Sequence, residues 1–346
     1  MITVFIVVVH MKPNKIDLKV GYLCNDNCIH CAIAHARRDL KAKQIETELT
    51  TEQVKAQIDL YHDKQYDTII LTGGEITIRK DFLEIVQYAS QRFKAVDIQT
   101  NGRKLATDAN LEVLSKLDNV HYIVAIHGPN SDVHDSITRK KHSFEQTTNS
   151  IKKMVALPNH PSVLAKFVLS NLNKQYICQT VRLASELGCE KINIAYMHGC
   201  TDDYQLLDQL LPSYKEITPI VDQAFDLGDQ LGIYVTVETF PLCTVKPSRY
   251  DRVDDLLLPT FELTVQPVNE KDYQWNSVRV DSNKLKQQQC LSCGFQLNCE
   301  GPWEEYWDVR KGEGLNPPIN NGHIIPIVPD RHASRLSGYA RLFGAK

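Results

Sequence analysis

Short runs of apolar residues alternate with longer amphipathic stretches along most of this chain. Seven runs have the length and β-branched content of buried strands, at residues 16–22, 67–71, 95–100, 120–126, 163–169, 191–195 and 233–237. Helical periodicity occupies intervals between them, at residues 51–63, 81–90, 111–117, 144–155, 175–187 and 214–231. Repeated strand-then-helix units predict an α/β fold with a parallel sheet and right-handed crossovers. We therefore predict a partial (β/α)6 barrel of the TIM type, and a doubly wound open sheet fits the same pattern.

The regular alternation ends near residue 240, which predicts a change of domain there. The later segment has short β-like pieces and closely spaced cysteines, which are typical of a small domain organised by metal. We predict four parts, namely an N-terminal extension (1–14), the barrel (15–239), a small C-terminal iron–sulfur domain (240–313) and an irregular tail (314–346). Met11 is an alternative start of translation.

Composition narrows the class of protein. A chain of 346 residues with 42% hydrophobic content can bury a large core, and a net charge of −3 gives no general attraction to nucleic acid. The longest apolar run, residues 2–9, is too short to span a bilayer and has no signal-peptide flanks. We expect a cytoplasmic protein that does not bind membranes. In that reducing compartment its ten cysteines would hold metal in preference to forming disulfides.

Three of the cysteines, Cys24, Cys28 and Cys31, follow the first predicted strand within eight residues. Thiolate is the soft ligand that iron–sulfur clusters require, and three ligands on a four-iron cluster leave one iron open. A closed zinc site needs a fourth ligand, which His30 would supply. The spacing therefore predicts a metal centre, and a zinc knuckle is the alternative to an iron–sulfur cluster.

The CxxxCxxC motif after the first strand resembles that of the radical S-adenosylmethionine (radical SAM) superfamily. The resemblance implies a [4Fe–4S] cluster on Cys24, Cys28 and Cys31 that binds S-adenosylmethionine at its open iron. One electron would then cleave this cofactor to a 5′-deoxyadenosyl radical, which abstracts hydrogen from a substrate. His30 stands where the family usually has an aromatic residue beside the cofactor. We also expect His127, at the end of the fourth predicted strand, to donate a proton or contact substrate.

Further motifs at predicted strand ends extend this resemblance. Gly73-Gly74-Glu75 matches the family's GGE motif, which implies contact with the methionine amino group. Glycines let backbone approach a ligand closely, and the carboxylate is a charge-assisted acceptor. The resemblance also makes Asn101 a cofactor-binding candidate and Arg139 a candidate for the methionine carboxylate.

A second group, Cys290, Cys293 and Cys299, has CX2CX5C spacing. It resembles the SPASM and twitch auxiliary-cluster domains of peptide-modifying and cofactor-modifying radical SAM enzymes. With Cys243 as the upstream ligand, the resemblance implies one auxiliary [4Fe–4S] cluster. A structural zinc site with four thiolates is the alternative.

The function predicted from these motifs is radical modification of a peptide or protein. The same chemistry on a small molecule, such as a sugar or cofactor precursor, is the first alternative. A non-catalytic iron–sulfur or zinc protein that serves as scaffold or electron carrier is the second. An electron donor such as flavodoxin or ferredoxin is the expected partner, and nucleic acid is disfavoured. The basic residues after the first cysteine group form a charged face that an anionic partner could use, at Arg37, Arg38, Lys41 and Lys43.

Overall fold

A computed structural model describes residues 13–157, 162–198, 203–256 and 261–318, and a mostly parallel sheet runs through it. The sheet contains nine strands. They are β1 (Asn14–Lys19), β2 (Thr68–Thr72), β3 (Ala95–Thr100), β4 (Val120–Ala125), β5 (Val163–Leu169), β6 (Lys191–Tyr196), β7 (Tyr234–Glu238), β8 (Glu262–Gln266) and β9 (Tyr273–Gln274). The first seven correspond to the seven strands predicted from the sequence.

The order of the strands distinguishes the two predicted architectures. It is β7-β6-β5-β4-β3-β2-β1-β8-β9, with every neighbouring pair parallel except β8 and β9. A doubly wound sheet reverses its strand order at a switch point, whereas β1 to β7 follow the chain without reversal. With right-handed crossovers, this order places the connecting helices on one face, as in a barrel. The partial-barrel prediction is confirmed, and the doubly wound alternative is wrong.

Helices connect most of the strands. They are α1 (Ala34–Ala42), α2 (Thr51–Asp63), α3 (Phe82–Ser90), α4 (Asp108–Leu114), α5 (Ser131–Thr138), α6 (Ser143–Val155), α7 (Ile177–Glu186), α8 (Tyr204–Leu210), α9 (Tyr214–Leu231), α10 (Trp275–Val278), α11 (Gln288–Leu291) and α12 (Glu304–Arg310). Capping boxes fix the starts of α2 and α9, at Thr50 with Gln53 and at Ser213 with Glu216. Among the described residues, no helix has the length and apolar character needed to cross a bilayer.

The two faces of the sheet differ in polarity. On one face, residues such as Ile16, Ile69 and Val96 are fully buried and pack beneath the helices. The other face carries charged and polar residues, among them Asp17 and Asp97, which flank Ile70 of β2 in register. Because side chains alternate along a strand, this second face lines the inside of the barrel. The interior is therefore polar.

Several details differ from the sequence prediction. The first strand ends at Lys19, three residues early, because the chain leaves the sheet there to form the cysteine loop. Six helices were not predicted, each of nine residues or fewer: α1, α5, α8, α10, α11 and α12. β8, from the predicted C-terminal domain, pairs with β1 and so extends the barrel sheet. Most of the predicted N-terminal extension and tail, residues 1–12 and 319–346, lies outside the described residues, as does Met11.

Candidate functional site

The cysteine loop begins where β1 ends, and the Gly73-Gly74-Glu75 segment holds its first residues. The Gly74 N–H donates to the Gly21 carbonyl at 2.7 Å, and the Glu75 N–H donates to the Leu23 carbonyl at 2.8 Å. A Cβ at Gly73 would lie 2.1 Å from the Gly21 oxygen, and one at Gly74 would lie 2.0 Å from the Leu23 oxygen. Gly73 also has φ +135°, which disfavours other residues. The glycines are thus needed because two backbones touch here.

The Glu75 carboxylate joins the ends of β2 and β3. One oxygen accepts from the Thr77 N–H at 3.0 Å and from the Thr77 and Thr100 hydroxyls, both at 2.6 Å. The other accepts from the Asn101 N–H at 2.6 Å. The side chain is 3% exposed, and burial raises its pKa. Both oxygens thus accept from protein donors, while contact with the methionine amino group stays a prediction.

Glu48 and Arg79, which the sequence analysis did not identify, support the same loop. The Glu48 carboxylate accepts from the Tyr22 and Leu23 N–H groups, each at 2.6 Å. Arg79 donates to the Val20 carbonyl at 3.0 Å and lies 3.7 Å from Glu48. These contacts satisfy the loop backbone immediately before Cys24. No local motif indicates them, because Glu48 is about 25 positions from its partners.

The rest of the loop is anchored to α5 and to the segment after β3. The Asn27 and Ile29 N–H groups donate to carbonyls at the end of α5, each at 3.0 Å. Arg103 donates to Asp26 at 2.6 Å, in an ion pair that is almost fully buried. Asn101 donates to the Asn25 side chain at 2.6 Å and lies 4.0 Å from the Cys24 Sγ. Asn101 therefore contacts the cysteine loop itself.

Three histidines are packed together beside the loop. The rings of His30 and His127 meet edge to face at 4.5 Å, and those of His127 and His134 stack at 5.6 Å. The His127 N–H donates to His134 Nδ1 at 3.1 Å. Burial lowers the pKa of His30 and His134 to about 4 and holds that of His127 well below its usual value, so the imidazoles are neutral at pH 7. This state does not favour an imidazolium donor, and the role of His127 stays a prediction.

The side chain of Arg139 stands apart from these groups. It is exposed, at the end of α5, where the backbone adopts φ +55°. Among the predicted cofactor-binding residues, Asn101, Gly74 and Glu75 do contact the cysteine loop or the residues that precede it. The predicted contact of Arg139 with the methionine carboxylate stays a prediction.

Comparison with known proteins identifies the family. A model of the radical SAM superfamily matches residues 18–184. The chain is 31% identical over 357 residues to mycofactocin maturase MftC of Mycobacterium ulcerans (strain Agy99), which covers 93% of this chain and 92% of that protein. The chain belongs to the radical SAM superfamily. The resemblance inferred from the cysteine and GGE motifs is confirmed.

Two further comparisons place this radical SAM protein among relatives. It is 27% identical over 221 residues to mycofactocin maturase MftC of Mycolicibacterium smegmatis (strain ATCC 700084 / mc(2)155). This alignment covers 63% of this chain and 53% of that protein. The crystal structure of Streptococcus suis SuiB bound to precursor peptide SuiA superposes with a TM-score of 0.61 at 14% identity, covering 88% of this chain and 74% of that one. The structural match shows a shared fold.

Membership of the radical SAM superfamily implies a [4Fe–4S] cluster and S-adenosylmethionine, and the first cysteine group fits the cluster. Burial raises the pKa of the Cys24 thiol to about 11, with Glu75, Asp26 and Cys31 adding to the effect. Burial also raises the pKa of Cys28. Thiolates here need a nearby positive charge, which iron supplies. Among the described residues, no three potential ligands are placed to bind a single metal ion. A [4Fe–4S] cluster does not need that arrangement, because it binds each thiolate at a different iron.

The second cysteine group lies together in one cavity. Cys243, in the turn after β7, lines this cavity with Cys290, Cys293 and Cys299. Backbone N–H groups donate to Cys293 Sγ and to Cys299 Sγ, each at 3.4 Å. Burial, with the other three cysteines nearby, raises the pKa of Cys243 to about 12. The remaining lining is largely apolar, at Pro241, Phe295, Pro302, Leu315 and Pro317.

Charged side chains extend from the inside of the barrel to this second group. Lys166 of β5 pairs with Glu238 of β7. Burial alone would raise the pKa of Glu238, but Lys166, Arg279 and Lys284 hold it at about 2. Lys284 and Arg279 both pair with Glu300, at 2.9 and 2.6 Å, and Glu300 directly follows the last cysteine. The sequence analysis missed these residues, although a lysine inside an apolar strand is a detectable signal for Lys166.

Proposed function

We propose that this chain is an enzyme that cleaves S-adenosylmethionine at a [4Fe–4S] cluster held by Cys24, Cys28 and Cys31. The observation that carries the proposal is the contact of the cysteine loop with Gly74 and Glu75 at the carboxyl ends of β1 and β2. Parallel α/β folds build their sites at these strand ends. Bound there, the cluster and S-adenosylmethionine supply a radical that abstracts hydrogen. The chain's own residues position the thiols and exclude water.

A peptide or protein is the proposed substrate class. Support comes from the similarity to proteins named mycofactocin maturase and from the shared fold with SuiB, whose structure holds the precursor peptide SuiA. The polar interior of the barrel, with Lys166 and Glu238 partly exposed at 27% and 32%, offers ionic contacts to such a substrate. We also propose that the enzyme works in the cytoplasm, where its thiols stay reduced.

The test of catalysis is anaerobic reconstitution with iron and sulfide, followed by reduction with dithionite in the presence of S-adenosylmethionine. We expect 5′-deoxyadenosine from the wild type and none from Cys24→Ala, Cys28→Ala or Cys31→Ala. Cys178→Ala is the matched control, because this half-buried thiol lies in α7 and outside both cysteine groups. A cluster-loaded wild type that forms no nucleoside, beside an active control enzyme, would contradict the proposal.

The substrate class is tested by stimulation of nucleoside release. Peptide-sized and small-molecule fractions of a host lysate would each be added to the reduced enzyme. We expect stimulation by the peptide fraction, and protease treatment should abolish it. Stimulation confined to the small-molecule fraction would instead assign the radical chemistry to a sugar or cofactor precursor.

We further propose that Cys243, Cys290, Cys293 and Cys299 hold an auxiliary [4Fe–4S] cluster, because the four thiols line one cavity. The Sγ atoms of Cys293 and Cys299 also accept backbone N–H groups, which stabilise thiolate ligands. Cys243→Ser and Cys290→Ser should lower the iron content from two four-iron clusters to one. Zinc in the purified protein, with iron unchanged in these variants, would favour a structural zinc site.

A further inference from the structure

A cationic surface begins directly after the first cysteine group. Helix α1 starts three residues beyond Cys31, whose carbonyl accepts from the Ala34 N–H at 3.2 Å. The segment 32–46 carries four basic and two acidic residues, a net charge of +2, so the rest of the chain carries −3 − 2 = −5. In the described part of the chain, no ion pair neutralises the four cations, Arg37, Arg38, Lys41 and Lys43.

Exposed apolar side chains accompany these charges. Leu23, immediately before Cys24, is 53% exposed, and Ile45, just after α1, is 38% exposed. The two lie on neighbouring backbone, because the Tyr22 N–H donates to the Thr47 carbonyl at 2.9 Å. An apolar centre with a charged rim is the usual anatomy of a protein-binding site. We call this set the α1 surface: Leu23, Arg37, Arg38, Lys41, Lys43 and Ile45.

We propose that the α1 surface binds a small acidic redox protein that reduces the cluster. This inference rests on the proposed function, which needs one electron for each cleavage. The reduced partner gives up one electron, and the cluster passes from its 2+ to its 1+ state. Charge and position together favour this segment, since it follows the proposed cluster ligands directly and has a net charge of +2 in a chain whose total is −3.

The surface of the second cysteine group is the competing position. Leu291 and Leu297 are 62% and 82% exposed there. In the described residues, however, that loop has one partly exposed cation, Lys286, because Lys284 is buried in its ion pairs. An acidic protein is therefore better matched by the α1 surface.

The test uses charge reversal with a matched control. Arg38→Glu with Lys41→Glu changes the α1 surface by four charge units, and Lys152→Glu with Lys153→Glu makes the same change on α6. The α1 variant places one acid in the last turn of its helix and the α6 variant places two, so the control carries at least as large a cost from the helix dipole. Helix α6 runs from the end of β4 toward the start of β5, so its last turn lies at the opposite edge from the cysteine loop.

Binding of a purified bacterial flavodoxin, an acidic one-electron protein, is measured by calorimetry on the reconstituted enzyme. At 0.1 M salt we expect Kd to rise roughly tenfold in the α1 variant and less than about twofold in the α6 variant. The difference should shrink at 1 M salt, where the Debye length falls from about 10 Å to about 3 Å. Nucleoside formation driven by flavodoxin should fall with binding, whereas formation driven by dithionite should not.

The outcomes separate the partner from the reaction. Equal binding by both double variants would overturn the proposal, as would loss of binding only in Leu291→Ser with Leu297→Ser. A change in substrate KM under dithionite, with flavodoxin binding unchanged, would instead assign the α1 surface to the substrate. If the wild type binds flavodoxin through the α1 surface yet dithionite yields no nucleoside, the proposed reaction fails and the docking surface stands.

Discussion

Replacing Glu75 by Gln removes an acceptor oxygen from the junction of β2 and β3. One carboxylate oxygen serves three donors from Thr77 and Thr100, and the other serves the Asn101 N–H. An amide has one acceptor oxygen and one NH2 donor. If its oxygen takes the first position, the NH2 faces the Asn101 N–H. If the amide flips, the Thr77 N–H loses its acceptor, so either orientation leaves a backbone donor unpaired.

The magnitude follows from that unpaired donor. A buried donor without a partner costs about 1–3 kcal/mol. Because burial already raises the pKa of Glu75, neutralising it recovers part of the desolvation cost, which offsets the lost charge assistance. Unfolding entropy is about 2.1 cal/mol/K per residue, so the 346-residue chain loses roughly 0.7 kcal/mol for each degree. We therefore expect Glu75→Gln to lower Tm by about 1.5–4 °C.

The assay is thermal unfolding of the cluster-loaded protein, in parallel with S-adenosylmethionine binding. Glu112→Gln is the matched control, since that side chain on α4 is 78% exposed and its Tm should not change. If Glu75 acts through the loop, Tm and cofactor affinity should fall together. An unchanged Tm with a large loss of affinity would refute this reasoning and show that the carboxylate contacts the cofactor directly.

Three other substitutions test the surroundings of the site. Burial raises the pKa of Asp97 to about 7, so the folded state binds the extra proton between pH 4 and 7 and the contribution of Asp97 to stability falls with rising pH there. Asp97→Asn lacks this pH-dependent loss of stability, so its Tm should rise relative to the wild-type Tm from pH 5 to pH 8. A Tm difference that stays constant over this range would contradict the raised pKa of Asp97. Glu48→Ala leaves two loop N–H groups unpaired, whereas Glu48→Gln keeps an acceptor oxygen for them. The iron content after reconstitution should therefore be lower in Glu48→Ala than in Glu48→Gln. His134→Asn places an oxygen near the position of Nδ1 and should preserve the hydrogen bond from the backbone N–H of His127. His134→Phe removes the acceptor and should lower the free energy of unfolding by about 1–3 kcal/mol. Equal stability of the two variants in thermal unfolding would show that this hydrogen bond contributes nothing.

The strands and the site motifs were predictable because their signals are local. Each strand of the barrel is a short apolar run, and Cys24, Cys28, Cys31 and the Gly73-Gly74 pair are recognisable from spacing alone. The position of the motifs followed as well, since the carboxyl ends of parallel strands share one edge of the sheet. The short helix α5 was missed because it has only eight residues, and Val133 and Ile137 are the only apolar residues in its sequence SDVHDSIT.

Contacts between distant positions were not predictable in the same way. Lys166 and Glu238 are 72 positions apart, and Arg103 is 77 positions from Asp26. Ion pairs of this kind leave no spacing pattern, because the fold alone brings the partners together. Thus the sequence identified candidate ligands, and the structure adds the residues that position them.

The acidic side chains around the cysteine loop share one kind of contact. The carboxylates nearest the cysteine loop, Glu48, Glu75 and Asp26, all face protein donors. These contacts fix the loop, and we expect them to hold the thiols of Cys24 and Cys28 in position for the proposed cluster. A loop held this way loses little conformational entropy when metal binds, which increases affinity without any added ligand. It also follows that substitutions at these acids should act on cluster assembly before they act on the radical step.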